Sequence, residues 1–484
     1  MPGVPASHSD RGLRRLAAGT LLVTFRGLTA PDWVLDGLSG GLGGVCLFGF
    51  NVEGPDQVAT LTSSLTNAGD PVISLDEEGG DVTRLAYHVG SEYPGNAALG
   101  AVDDVDLTER VYRSIAGDLV KAGVNLDMAP SADVNTADDN PVIGTRSFGA
   151  DPALVSRHTV AAVRGLQSLG VAACVKHFPG HGATTEDSHL SIPVVDASLE
   201  LLRERELAPF RAAIEAGTRS IMTAHVAVPA LTGDTPATLS PRALTTLLRG
   251  ELGYDGVVVT DALDMHAITK SVGLGGGAVL SLKAGADLLC MGSIPTYEET
   301  EGVITAIVAA VRAGDLPVER LEEAVARAQS LRDWARETRG QHTEDTVVGL
   351  QAARRAVRIS GATLPLRNPF VVEIDTPPTI AVGDVPWGVA PWLPEAEIVR
   401  VKPEDARATD LLTRARGRSL VVVVKDAHRY PASRELVTEL VSARPDSVVM
   451  EMGLPIWRPD HGVHIATYGA ARANAQAAVE LLTA

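Results

Sequence analysis

The sequence predicts an α/β protein in two parts: a (β/α)8 barrel of TIM type over residues 1–338 and a smaller C-terminal α/β sandwich over 347–484, joined by a linker at 339–346. Three observations predict this. Short apolar, β-rich runs alternate with longer amphipathic stretches through the first two thirds, as strand–helix units of a parallel sheet do. Eight such runs occur, each close to continuously apolar, as expected of strands covered on both faces. Finally, 484 residues are too many for one ordinary core.

In chain order the runs are LLVTF (21–25), GVCLFG (44–49), VISLD (72–76), NLDMAP (125–130), AACVKHF (172–178), SIMTAHV (220–226), GVVVTDAL (256–263) and ADLLCMG (286–292). Helical stretches separate most of them: DQVATLTSSLTNAG, LTERVYRSIAGDLVKAG, ALVSRHTVAAVRGLQSLG, LELLRERELAPFRAAIEAG and PRALTTLLRGELG. A charged helix, PVERLEEAVARAQSLRDWARET, closes the barrel, and the polar RGQHTEDT follows as the linker. A second alternation then predicts strands at FVVEI, TIAVGD, EIVRVK, SLVVVVKD, SVVMEMG and VHIATYG, with helices at SRELVTELVSAR and ARANAQAAVELL. This reads as an open sheet with helices on its faces.

Composition narrows the function. The formal charge of -18 repels polyanions and argues against a nucleic-acid partner. No segment approaches the roughly 20 apolar residues that span a bilayer, and GLRRLAAGTLLVTF lacks a cleavage site, so a cytoplasmic protein with no membrane partner is expected. Cys46, Cys174 and Cys290 each sit in an apolar run and read as small buried thiols, not as a disulfide framework. GLGGG at 273–277 reads as a flexible loop.

In such a barrel the chemistry belongs at the carboxyl ends of the strands. Charged residues fall there repeatedly: Asp76 at the end of the third run, Asp127 in the fourth with Arg146 beyond it, Lys176 and His177 in the fifth, His225 in the sixth and Asp261 in the seventh. Taken singly, each has an ordinary role as cap, ion-pair partner or core histidine. Converging on one mouth, they favour a site, because charges buried there must be satisfied.

The stretch VKHFPGHGATTEDSHL (175–190) adds three histidines. His177 and His181 are four apart, but Pro179, Gly180 and Gly182 deny them a helix, so no metal is expected. It lacks the Lys-Ser/Thr ending of a phosphate loop, and Glu186 and Asp187 oppose an anion, so no cofactor is expected either. Acid–base chemistry remains. Asp187 and His189, two apart in extended chain, can point the same way, and the carboxylate would fix one imidazole tautomer and favour its protonated form. Glycines on either side of His181 would let this loop move.

The blocks DEEGGDVTR, NPVIGTRSFG, KHFPGHGATTEDSH, HVAVPALTGDTPATLSP and GVVVTDALDM, in that order through the whole barrel, resemble the family 3 glycoside hydrolases, in particular the two-domain β-N-acetylglucosaminidase (β-hexosaminidase) branch. The resemblance implies retaining chemistry without a metal on a small GlcNAc-containing carbohydrate. It makes Asp261 the nucleophile, His189 the general acid/base and Asp187 its assistant, in place of the commoner carboxylate pair. It maps Asp76, Arg84, Arg146, Lys176 and His177 onto sugar binding, with Asp127, Asp133, His181 and His225 behind them. The chain departs from the family pattern at Glu77 and Asp81, which are expected to make the mouth more acidic. Exo-hydrolysis of terminal GlcNAc from muropeptide or chitin-type fragments is the leading expectation. A phosphorylase using phosphate as acceptor and a non-catalytic sugar-binding module are the alternatives.

Overall fold

The computed structural model describes residues 9–185, 192–293, 295–340, 345–361 and 365–483. Eight parallel strands form the first sheet: β1 Leu21–Val23, β2 Gly44–Cys46, β3 Val72–Leu75, β4 Leu126–Asp127, β5 Ala172–Phe178, β6 Ser220–Thr223, β7 Val257–Thr260 and β8 Leu289–Cys290. Their order is β7-β6-β5-β4-β3-β2-β1-β8, and parallel bridging between Val259 and Leu288 joins the two ends into a barrel.

The near-continuous apolar character of these strands has a direct cause. Successive side chains point to opposite faces, and here both faces are apolar. Leu22, Cys46, Leu126, Met128, Cys174, Val257 and Val259 pack inside the barrel. Their neighbours Leu21, Val23, Val45, Leu47, Ala173, Val175 and Val258 pack outward against the helices. All three cysteines are free, buried and part of the interior cluster.

The crossover helices begin where the chain supplies caps. Asp104 accepts from Leu107 N to open Val105–Lys121, and Asp151 accepts from Ala153 N to open Pro152–Gln167. The GLGGG run is not a loop. It lies within His266–Ala284, which breaks its helical path only at Gly273, where φ is 68°. Small residues tolerate a helix when tertiary packing holds them, and Gly277 is buried against Ile268. Among the described residues no helix is long and apolar enough to cross a membrane.

The second sheet has the order β11-β10-β12-β13-β14-β9, from β9 Arg358–Ser360, β10 Phe370–Ile374, β11 Glu397–Val401, β12 Leu420–Val424, β13 Val448–Glu451 and β14 Val463–Ala466. Only β9 is antiparallel. Both faces are again covered: Val372, Val422 and Val424 meet Pro431–Ala443, while Val371, Val421 and Val423 meet Arg472–Thr483.

One expected strand is missing here and one unexpected strand is present. TIAVGD (379–384) forms no strand; it is a loop that reaches the barrel mouth. β9, absent from the sequence reading, is three exposed residues with no apolar pattern to betray it. The helix Val348–Ala356 spans the two parts, with Val348 and Ala352 in the barrel's core cluster and Ala353 against Ala473 and Ala477.

The seam between β7 and β8 is held by Asp287, which is fully buried. It accepts from Val258 N at 2.9 Å and Arg249 Nη2 at 2.5 Å, and pairs with Arg320 and with Arg327 at 3.3 Å. Asp287→Ala would strand these three guanidinium groups, all of them partly solvated. We expect a loss of about 3 kcal/mol, seen as a lower urea midpoint for the barrel transition.

Candidate active site

At the carboxyl ends of the barrel strands lies a cavity of about 310 Å³, at the small end of the range for ligand pockets. Asp76, Arg84, Arg146, Lys176, His177 and Asp261 all line it. Cys46, Met128, Met222 and Cys290, from the barrel interior, also line it and give it an apolar floor. Asp187 and His189 lie outside the described residues.

The polar wall is organised by Glu78, a residue the sequence reading did not single out. Arg146 grips it with two nitrogens, Nη2 at 2.6 Å from Oε1 and Nε at 2.9 Å from Oε2, while Lys176 Nζ stands 2.7 Å from Oε1. Lys176 also donates to Asp76 Oδ1 at 2.6 Å, and Arg84 approaches Asp76 at 3.6 Å. Burial alone would raise the pKa of Glu78, but Arg146 and Lys176 outweigh it and hold the carboxyl at about 2. For Asp76 too, burial is overcome by Lys176 and Arg84, and its pKa is lowered. Lys176 is raised in turn: desolvation is offset by Asp76 and Glu78. These groups stay ionised near neutral pH, so the wall presents fixed charged hydrogen-bonding groups to a ligand.

Asp133, fully buried, organises the β5 side. It accepts from His177 Nδ1 at 2.7 Å and His181 N at 2.7 Å, and from Ser131 Oγ at 2.9 Å. The bond at Nδ1 leaves His177 Nε2 directed at the cavity, 3.4 Å from Arg146 Nη2. His181, also in the lining, bonds Thr184 Oγ1 through Nδ1, and burial lowers its pKa to about 4, so it is neutral. An ideal Cβ on Gly182 would stand 2.1 Å from Val134 O. That glycine therefore serves close backbone approach as well as any motion of the loop.

Asp261 follows β7 directly, and its Oδ1 accepts from Ala262 N at 2.8 Å. His225 does not reach the cavity. It is buried beneath, bridging Thr238 Oγ1 and Ala262 O, and so braces the backbone next to Asp261. Asp127 lies behind the wall, where its Oδ1 accepts from Glu77 N and burial raises its pKa well above the usual range.

The expected acidic mouth is not formed. Along the extended segment after β3, side chains alternate, so Asp76 and Glu78 face the wall and Glu77 turns away. Glu77 Oε2 accepts from Arg84 N and Leu85 N, both at 2.9 Å. Gly79 and Gly80, with φ of 71° and 64°, then turn the chain so that Asp81 faces the second domain. Neither Glu77 nor Asp81 lines the cavity.

The family model for the glycosyl hydrolase family 3 N-terminal domain matches residues 30–331. Beta-hexosaminidase A of Pseudoalteromonas piscicida is 37% identical over 273 residues, 52% of this chain and 46% of that protein, so the match spans less than half of that relative. Beta-hexosaminidase LpqI of Mycobacterium tuberculosis is 36% identical over 54% of this chain and 67% of its own length. Among solved structures, a glycoside hydrolase family 3 β-N-acetylglucosaminidase from Paenibacillus sp. str. FPU-7 superposes with a TM-score of 0.88 at 34% identity, covering 97% of this chain and 96% of that one. A barrel with this charged mouth, matched by the family model over well more than half its length, belongs to glycosyl hydrolase family 3.

Proposed function

We propose that the protein is a retaining exo-β-N-acetylglucosaminidase that removes terminal β-linked GlcNAc from muropeptide or chitin-type fragments. The observation that carries this reading is the gathering of Asp76, Arg84, Arg146, Lys176 and His177 around Asp261 in one cavity. The names and structure of the relatives support the sugar. A cavity floored by packed barrel side chains has no through passage, which suits attack on a chain end.

Each group then has a task. Asp76 accepts from ring hydroxyls, Lys176 and Arg146 donate to hydroxyl oxygens, and His177, its Nδ1 proton held by Asp133, offers Nε2 as an acceptor. In the first step the Asp261 carboxylate attacks the anomeric carbon, and the bond to the leaving oxygen breaks as that oxygen takes a proton from the His189 imidazolium. In the second, neutral His189 takes a proton from water, whose oxygen bonds to the anomeric carbon as Asp261 departs. Asp187 holds the imidazole in the required tautomer. The ionised wall is present before the substrate arrives, so little reorganisation accompanies charge development at the sugar.

Purified protein should release 4-nitrophenol from 4-nitrophenyl β-GlcNAc. Asp261→Ala should lower kcat by ~10³-fold or more, and His189→Gly by ~10²- to 10⁴-fold. Variants equal to wild type would exclude these roles. Adding inorganic phosphate should leave the rate unchanged and yield free GlcNAc; a sugar 1-phosphate product would make the enzyme a phosphorylase. The proton donor of the first step must be protonated, so kcat/KM should fall on the alkaline side, and that limb should vanish in His189→Gly.

A separate pH effect concerns stability. Burial raises Glu77 from 4.5 to about 7 despite its bonds to Leu85 N and Arg84 N. The folded state therefore binds the proton more tightly than the unfolded chain. The associated stability, about 3 kcal/mol, is fully present below pH 4.5 and is lost as pH rises to about 7. Glu77→Gln should unfold at higher urea than wild type above pH 7, and the difference between the two should shrink on acidification.

A further inference from the structure

Asp81 plays no part in the chemistry above, yet its buried carboxylate is fully engaged across the domain boundary. Oδ1 accepts from Ala470 N at 2.7 Å; Oδ2 accepts from Lys425 Nζ at 3.0 Å and from Thr145 Oγ1 at 3.0 Å. Lys425 directly follows β12, and Ala470 lies between β14 and the last helix, so both partners are fixed to the rigid second sheet.

Three residues further on, the same barrel loop meets the second domain again. Arg84 Nη2 donates to Ala381 O at 2.8 Å. Tyr87 accepts from Asp384 N at 3.0 Å through its hydroxyl, and its ring fills the space beside Gly383 and Gly49. The segment held by these contacts is the one misread as a strand, and its Ile380 and Ala381 line the sugar cavity. One barrel segment, 76–87, thus carries Asp76 and Arg84 into the cavity and also clamps the second domain.

From this geometry we infer that Asp81 is the positioning residue for the leaving-group side of the pocket: through Lys425 and Ala470 it holds residues 379–382, whose Ile380 and Ala381 line the cavity, against Arg84. Ile380, 61% exposed at the rim, meets the leaving group; the terminal sugar fills the inner end beside Asp261. An apolar side chain left exposed at a pocket rim is suited to the apolar face of an incoming ring. The inference rests on the reading of this cavity as a GlcNAc site.

The test uses the full chain. Asp81→Asn and Lys425→Met should each raise KM for 4-nitrophenyl β-GlcNAc, and the inhibition constant of free GlcNAc, by ~10-fold while changing kcat less than ~3-fold, since a small displacement of a binding group weakens the complex. Lys425→Arg, which keeps the cation, should stay within ~3-fold of wild type. Ile380→Gly should raise KM for chitobiose by ~5-fold and leave inhibition by GlcNAc unchanged. Folded Asp81→Asn and Lys425→Met proteins with wild-type KM would overturn the inference. Should loss of the buried charge unfold the chain, Ile380→Gly decides: an unchanged chitobiose KM would overturn it. A wild-type protein that neither cleaves the substrate nor binds GlcNAc in calorimetry defeats the functional reading instead.

Discussion

The structure depends on one buried knot of charge, Glu78 between Arg146 and Lys176. Taking such groups out of water costs several kcal/mol per ion, and only mutual pairing of good geometry recovers it. Among the described residues Glu78 is the one carboxylate that pairs with both cations. Without it, Lys176 would have Asp76 alone and Arg146 would have no carboxylate within pairing distance among the described residues. The knot therefore fixes strand end against strand end: Asp76 and Glu78 after β3, Arg146 after β4, Lys176 in β5. Its contribution is less to net stability, which comes from the apolar clusters on both faces of each sheet, than to a single arrangement of the mouth.

How far the sequence revealed this follows from how local each signal is. The barrel strands were legible because burial on both faces leaves an unbroken apolar run, and the strand-end charges stood out against it. TIAVGD has the same local look, and the segment misled for that reason: what decides its form is the carbonyl of Ala381 on Arg84, nearly 300 positions away in the chain. β9 carries no apolar pattern because its residues are exposed. GLGGG reads as a loop by composition, but packing against Ile268 keeps most of it helical.

Within the site the same division holds. Asp76, Lys176, His177 and Asp261 could be placed from strand ends, and Arg84 and Arg146 from the motif resemblance. Glu78 could not, since it is one acid of four in DEEGGDVTR's neighbourhood and its partners lie 68 and 98 positions on. A period of two along the extended segment would have separated it from Glu77: residues 76 and 78 share a face and 77 opposes them. The positive-φ glycines then end that alternation, which is why Asp81 could not be placed by counting.

This short loop also explains why the second domain need not contribute a charged group to the pocket in order to shape it. The cations and carboxylates of the mouth already satisfy one another within the barrel, so any further charge brought in across the boundary would have to be desolvated without a partner. What the second domain brings to the cavity is what can enter at little such cost: a backbone carbonyl for Arg84 and the aliphatic side chains of Ile380 and Ala381. The charge needed to hold it, Lys425, is spent outside the cavity on Asp81. One short loop thus does two jobs with different side chains: Asp76 and Arg84 line the cavity, while Asp81 takes the cation of the second domain.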